Sequence, residues 1–137
     1  IVLGPNGGAL QKMLPVFNAG LGGPIGNGDQ WMSWIDRTDL CRIIENSLTQ
    51  RAWKGVVNAV APSPVLMREF AATLGKCLGR PSFIPVPGLI LKLLLGDGSR
   101  IVLEGQKVNS LKLKKLGFKF HYSELNKSLE HTINQIK

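Results

Sequence analysis

The chain has 137 residues, 44% hydrophobic and 19% charged, and its 17 Lys and Arg against 9 Asp and Glu leave a net charge of +8. That length suits one domain with a buried core, while two cysteines, Cys41 and Cys77, exclude a disulfide-rich scaffold. Neither they nor His121 and His131 have metal-ligand spacing, and the most apolar run, Leu89 to Leu95, is far short of the roughly 20 residues of a membrane-crossing helix.

Ile1-Val2-Leu3-Gly4 reads as the end of a buried strand. Such strands have neighbours on both edges, so a chain opening there, on Ile rather than Met, is expected to lack its N-terminal part. Gly4-Pro5-Asn6-Gly7-Gly8 is a turn. Leu10, Met13, Leu14 and Phe17 then recur at helical spacing and predict one buried stripe, with Pro15 expected to kink or shorten the helix. The stretch from Gly20 to Trp34, GLGGPIGNGDQWMSW, places five glycines and a proline in nine residues ahead of two of the three tryptophans. Glycine lets other groups approach the main chain closely. The loop and the strand predicted over Gln30–Ile35 therefore read either as one wall of a cleft or as a surface loop beside a core tryptophan. Alternation puts Trp31, Ser33 and Ile35 on one face of that strand and Gln30, Met32 and Trp34 on the other.

Asp36 is placed to cap a helix whose apolar stripe is Leu40, Ile43, Ile44 and Leu48, fading near Gln50. Trp53 falls in the connection, and the β-branched run from Gly55 to Ala61 predicts a buried strand. Ser63 as N-cap and Pro64 at the first helical position predict a helix with the stripe Leu66, Phe70, Leu74 and Leu78, ending at Gly79. Ser82 to Val86 predicts a short edge or irregular strand, since Pro85 lacks a donor. Pro87 to Leu95 predicts a helix apolar nearly all round, Ser99 to Leu103 another turn or two, and Gln106 to Val108 an extended piece. Ser110 and Gly117 bracket a short helix, Phe118-Lys119-Phe120 reads as a strand, and Leu125, Leu129, Ile133 and Ile136 mark a last helix from about Ser123. Strands alternating with helices, then a mainly helical last third, predict an α/β architecture with a parallel component.

Residues 100–137 hold 8 basic and 3 acidic side chains and so supply +5 of the charge. Lys107, Lys112, Lys114, Lys115, Lys119 and Lys127 could attract phosphate, but no aromatic stacking set or nucleic-acid motif accompanies them. They read as a solvated face, and no nucleic-acid partner is expected. Gly20-Leu21-Gly22 begins a dinucleotide fingerprint that fails, because Ile25 occupies the third glycine position and the segment follows a helix. The chain has no Gly-x-Ser-x-Gly elbow, phosphate loop or His-Glu-x-x-His, and Tyr122 is followed four residues on by Asn126, which excludes a Tyr-x-x-x-Lys relay. Asp36 and Asp39 sit where helix-capping acids belong, so capping outweighs acid–base work. No catalytic residue and no metal site is expected.

Ile1-Val2-Leu3-Gly4, Gly7-Gly8-Ala9-Leu10, Lys12-Met13-Leu14-Pro15, Gly20-Leu21-Gly22-Gly23-Pro24, Gln30-Trp31-Met32-Ser33-Trp34-Ile35, Val57-Asn58, Ala61-Pro62, Gly79-Arg80-Pro81 and Leu103-Glu104-Gly105-Gln106-Lys107-Val108 together resemble one family. It is the C-terminal half of the atypical extended short-chain dehydrogenase/reductases, an epimerase-like NAD(P)-binding group found in bacteria, mitochondria and chloroplasts. Some of its members are named as cell-division or plastid-division proteins. The resemblance covers essentially the whole chain.

It implies the C-terminal part of an extended Rossmann-type, NAD(P)-binding α/β fold with a mainly helical substrate-side domain, the N-terminal half lying outside this chain. Residues 1–81 would end the NAD-dependent epimerase/dehydratase-like module, and residues 82–137 would form the family's own C-terminal domain. NADP or NAD would be bound mainly by the N-terminal half, with Val2 beside it, and Gln30, Trp31, Ser33 and Trp34 would line the substrate cleft. The implied function is the substrate-binding half of an NAD(P)-dependent epimerase or reductase, an isomerase or oxidoreductase, acting on an unknown small molecule. The alternative is a non-catalytic scaffold in cell or plastid division, with a protein partner on the basic C-terminal face. The implied compartment is the cytoplasm, or a plastid or mitochondrion in a eukaryote, with no membrane partner. One departure stands out: relatives tend to have Trp-Ile-His and then an acidic pair, whereas this chain has Trp34-Ile35-Asp36-Arg37-Thr38-Asp39 and keeps only the second acid.

Overall fold

Two short β pairings organise the chain, whose computed structural model describes residues 1–86 and 105–136. β1 (Val2–Leu3) runs parallel to β3 (Ile35–Asp36), and β2 (Trp31–Met32) runs antiparallel to β4 (Val65–Leu66). The single strand predicted over residues 30–35 is thus split, one end serving each sheet. The break lies where Trp34 turns its polar groups elsewhere: its carbonyl accepts the Ala61 N–H at 2.7 Å and its indole N–H donates to the Ser63 carbonyl at 2.9 Å.

α1 (Gly8–Asn18) buries Leu10, Met13, Leu14 and Phe17, the stripe that spacing predicts, and it continues through Pro15. α2 (Arg37–Thr49) starts at Asp36, whose carboxylate accepts the Thr38 N–H at 2.8 Å. Its predicted stripe is only partly buried. Ile43 is inside, but Ile44 is 51% and Leu48 81% exposed, because the helix packs on β1 and β3 and its buried positions are Ile43 and the polar Asp39. α3 (Met67–Leu78) ends at Gly79 in the left-handed conformation, as predicted. It begins later than Ser63-Pro64 suggests, since Val65–Leu66 is extended against β2 and the Glu69 carboxylate, not Ser63, accepts the N–H of Leu66 at 2.9 Å.

The predicted strand from Gly55 to Ala61 does not form. The carbonyls of Lys54 and Val56 accept the Lys112 ammonium at 2.5 and 2.9 Å instead of a neighbouring strand, and Val56 is exposed. Residues 82–86 are irregular, with Val86 making one parallel bridge to Ile25. The predicted helix over residues 87–95 and the turns over 99–103 lie outside the described residues. α4 (Leu111–Lys115) is the short helix expected, although Asn109 rather than Ser110 accepts the Leu111 N–H. Phe118-Lys119-Phe120 is not a strand, because the Lys119 carbonyl accepts from the Arg42 guanidinium at 2.8 Å and the two rings meet edge to face. α5 (Leu125–Ile136) buries Leu125, Leu129 and Ile133, and leaves Ile136 at 41% exposed.

The main core joins β1, α1, Trp34, α3 and α5, and α5 packs along α3. A second cluster gathers Ile35, Ile43, Trp53, Leu113 and Phe118. The last helix therefore shares its core with the first strand rather than packing apart. Among the described residues, no helix is long and apolar enough to cross a membrane.

Candidate functional site

A shallow, open pocket of about 190 Å³ lies at the end of β1, lined by Val2, Gly4, Asn6, Gly7, Gly8 and Arg37. β1 ends there and the Gly7-Gly8 turn, both residues at positive φ, starts α1 with no side chain capping its N–H groups. Arg37 opens α2, its side chain packed against Gly4. Val2 contributes an exposed apolar wall, at 44%. The pocket thus combines an apolar surface, a helix start without a side-chain cap and a guanidinium, a set suited to one edge of an anionic ligand. It is smaller than the roughly 300–1,000 Å³ of a full small-molecule site.

The second place is the face of β2. Trp31 is half-buried there, and the Lys107 ammonium lies 4.1 Å from its ring centroid. Gln30 is also half-buried, its amide donating to the Ile25 carbonyl at 3.1 Å while its own carbonyl accepts the Met67 N–H. Ser33 is fully engaged within the protein: its hydroxyl donates to the Gln106 carbonyl at 2.6 Å and accepts the Val108 N–H at 2.9 Å. Trp34 has no exposed surface and belongs to the core, so its indole is not open to a ligand. The structure therefore brings Trp31 and Ser33 together with residues 105–108, leaves Gln30 on Ile25 and Met67, and places Val2 in the pocket at the end of β1.

The glycine loop is packed by the protein itself. A Cβ on Gly22 would lie 2.5 Å from the Phe17 ring, and one on Gly23 would lie 2.0 Å from the Ile84 carbonyl oxygen. Gly22 and Gly23 are buried and admit neighbouring chain, so this part of the stretch is not the open surface loop of the plainer reading.

A family described as a domain of unknown function, DUF1731, matches residues 86–132. The epimerase family protein SDR39U1 homolog of Arabidopsis thaliana, named as chloroplastic, is 49% identical over 94% of this chain and 37% of its own length. The crystal structure of human epimerase family protein SDR39U1 with NADPH superposes with a TM-score of 0.90 at 40% identity, covering 98% of this chain and 46% of that one. The chain is similar to epimerase family proteins. It corresponds to the C-terminal part of these epimerase family proteins and spans about half the length of the relatives it matches, or less. A Thermus thermophilus UDP-glucose 4-epimerase in complex with NAD, at 18% identity, shares the fold with a TM-score of 0.69 over 98% of this chain. The fold is accordingly the C-terminal part of a Rossmann-type epimerase fold.

Three residues escaped sequence reasoning. Arg37 carried a signal, since it falls in the run that departs from the family pattern. Asp39 looked like a capping acid, yet it is fully buried and its carboxylate accepts from Arg42 and from the backbone of His121 and Tyr122, each at 2.9 Å. Nothing local could have shown a contact across that separation. Asp36 caps as predicted, and its second oxygen also accepts the buried Ser128 hydroxyl at 2.7 Å. Both acids are structural here, which removes them as acid–base candidates. Lys107 was visible only as one lysine among several.

Proposed function

We propose that this chain forms the substrate-side half of an NAD(P)-dependent epimerase- or reductase-like protein, whose dinucleotide is held mainly by an N-terminal half. The pocket at the end of β1 carries the reading. Its donors and its apolar wall, Val2, fit one edge of a dinucleotide, and its small volume fits only an edge. The human relative whose structure contains NADPH superposes over this same length, which supports the placement. When bound, the dinucleotide supplies hydride chemistry. This chain's residues bind and orient: Val2 packs beside the cofactor, Arg37 offers a cation, and Gln30 and Trp31 wall the substrate cleft. Ser33 holds the 105–108 segment against that wall, and Trp34 supports it from the core.

Titrating NADPH and NADH against tryptophan fluorescence of the full-length protein tests the reading. Saturable binding that weakens several-fold in Val2→Asp is expected, because a carboxylate there faces an anionic ligand. Absence of binding by either dinucleotide would sink the proposal.

A second reading, a scaffold with a protein partner in cell or plastid division, draws on the exposed Lys114, Lys115 and Lys119. Lys112 belongs to the fold, through its bonds to the carbonyls of Lys54 and Val56, and is a poor probe of that face. Changing Lys114, Lys115 and Lys119 to Glu abolishes partner capture on this reading and leaves dinucleotide binding intact. Unchanged capture rejects it.

A further inference from the structure

Lys107 is the one lysine among the described residues that sits over an aromatic ring, its Nζ 4.1 Å from the Trp31 centroid. Its backbone is clamped on both sides by a single hydroxyl. Ser33 donates to the carbonyl of Gln106 at 2.6 Å and accepts the N–H of Val108 at 2.9 Å. Gly105 presses on the main chain of Trp31 so closely that a Cβ there would lie 1.9 Å from the Trp31 carbonyl oxygen. Residues 105–108 are thus laid along Trp31 by contacts at each end, and the lysine reaches back over the ring from a fixed base.

The ammonium remains available. It is exposed, and the ion pairs among the described residues are Arg42–Asp39, Arg68–Asp29 and Lys127–Glu124, none of which involves it. An aromatic face attracts a cation through its quadrupole but carries no net charge, so it orients the ammonium without neutralising it. A lysine held this way keeps N–H donors for an incoming group, and its rotamer freedom is already partly restricted before that group arrives.

We infer that Lys107, seated on Trp31, is a recognition residue for an oxyanion, a phosphate or carboxylate, on the small molecule that the cleft takes. The inference rests on the reading of Trp31 as cleft wall and deepens it by naming the chemistry recognised. The ammonium donates charge-assisted hydrogen bonds to the oxyanion, and the half-buried indole offers a flat apolar surface to the part of the ligand beside it. A neutral ligand keeps the apolar contact but lacks the charge-assisted bonds, and a cationic one is repelled by the ammonium.

The test uses ¹⁵N-labelled full-length protein, in which each tryptophan contributes its own indole N–H signal. Inorganic phosphate and, separately, acetate are titrated in at constant ionic strength, so that general screening does not change. The Trp31 signal is expected to move saturably while those of Trp34 and Trp53, both buried, stay in place. Lys107→Met should raise the half-saturating phosphate concentration by about tenfold or more, the scale of one lost charged hydrogen bond. Lys107→Arg should preserve the response, and Lys114→Met, on an exposed lysine of α4, should leave it unchanged. A response to phosphate alone assigns a phosphoryl group, one to acetate alone a carboxylate, and one to both a general oxyanion site. No saturable shift in the unaltered protein, or a shift that survives Lys107→Met, overturns the inference. NADPH binding is measured on the same samples: its loss in the unaltered protein counts against the cofactor reading, while intact NADPH binding beside a missing anion response counts against Lys107 alone.

Discussion

The carboxylate of Asp39 accepts the backbone N–H of His121 at 2.9 Å, joining positions 82 residues apart in the sequence. Its other oxygen takes the N–H of Tyr122, and Arg42, one turn along α2, donates to the same oxygen as His121. Arg42 also donates to the Lys119 carbonyl and lies 5.0 Å from the Phe118 ring centroid. One acid in the first turn of α2 thus shapes the connection between α4 and α5.

Asp39→Asn should destabilise the protein by about 3 kcal/mol, the usual cost of breaking a buried charged network by removing one partner. The amide keeps one acceptor oxygen where three donors converge, and it turns its own N–H₂ toward donors. Urea denaturation reads the loss. A change below about 1 kcal/mol would show that water readily replaces the carboxylate.

Ser128→Ala removes the hydroxyl that donates to Asp36 and leaves a carboxylate oxygen buried without that donor. The expected cost is about 1–3 kcal/mol, from the unmade bond of a buried charged acceptor. Asp36 still caps α2 by accepting the Thr38 N–H through its other oxygen, so circular dichroism should show α2 intact.

Ser33→Ala should act locally. The N–H of Val108 loses its acceptor and the carbonyl of Gln106 its donor. Hydrogen exchange at Val108 should quicken by about tenfold, the equivalent of one neutral hydrogen bond, while the amides of α3 keep their protection. Equal loosening in both places would mean that the bond supports the whole fold.

Cys41 is exposed and Cys77 half-buried. Burial, with the nearby Glu130 carboxylate next in weight, pushes the Cys77 thiol above its ordinary value of 9.0. The thiolate is the reactive form, so a maleimide should label Cys41 first, and labelling of Cys77 should still be climbing past pH 9. Because the folded thiol holds its proton more tightly than the unfolded one, its contribution to stability is complete below the unfolded value and declines as pH rises through the folded one. Tyr122 follows the same sign on the alkaline side. Burial, then the charges of Asp36 and Asp39, raise its phenol above 10.0. A Cys77 that reacts as fast as Cys41 at pH 7 would contradict this placement.

Local signals were read well wherever one residue's chemistry decides its own surroundings. The stripe of α1, the cap at Asp36, the left-handed Gly79 and the Leu125–Leu129–Ile133 face of α5 all stand as their spacing predicts. The failures share a different cause. Gly55 to Ala61 has strand composition, but two carbonyls near its start bind a lysine ammonium brought from α4. Phe118 and Phe120 alternate like a strand, yet Arg42 takes the carbonyl between them. Apolar spacing on α2 promised burial for Ile44 and Leu48, whereas Asp39, a charged residue, occupies a fully buried position. At the candidate site, Val2 and Trp31 were suggested by family resemblance, while the pairing of Trp31 with Lys107 depended on a tether from Ser33 that spans more than seventy residues. Composition and periodicity report propensity; they do not report which distant polar group completes a backbone.

The bonds from Asp36 and Asp39 to residues 121–128 also bear on how the chain is made. While the polypeptide is still emerging from the ribosome, α2 can form early, but two acids near its start have no distant donors until those residues appear. Water must serve them in the interval. Their burial is therefore a late event of biosynthesis, and closing so long a loop sets back the moment at which α2 and α5 can lock together.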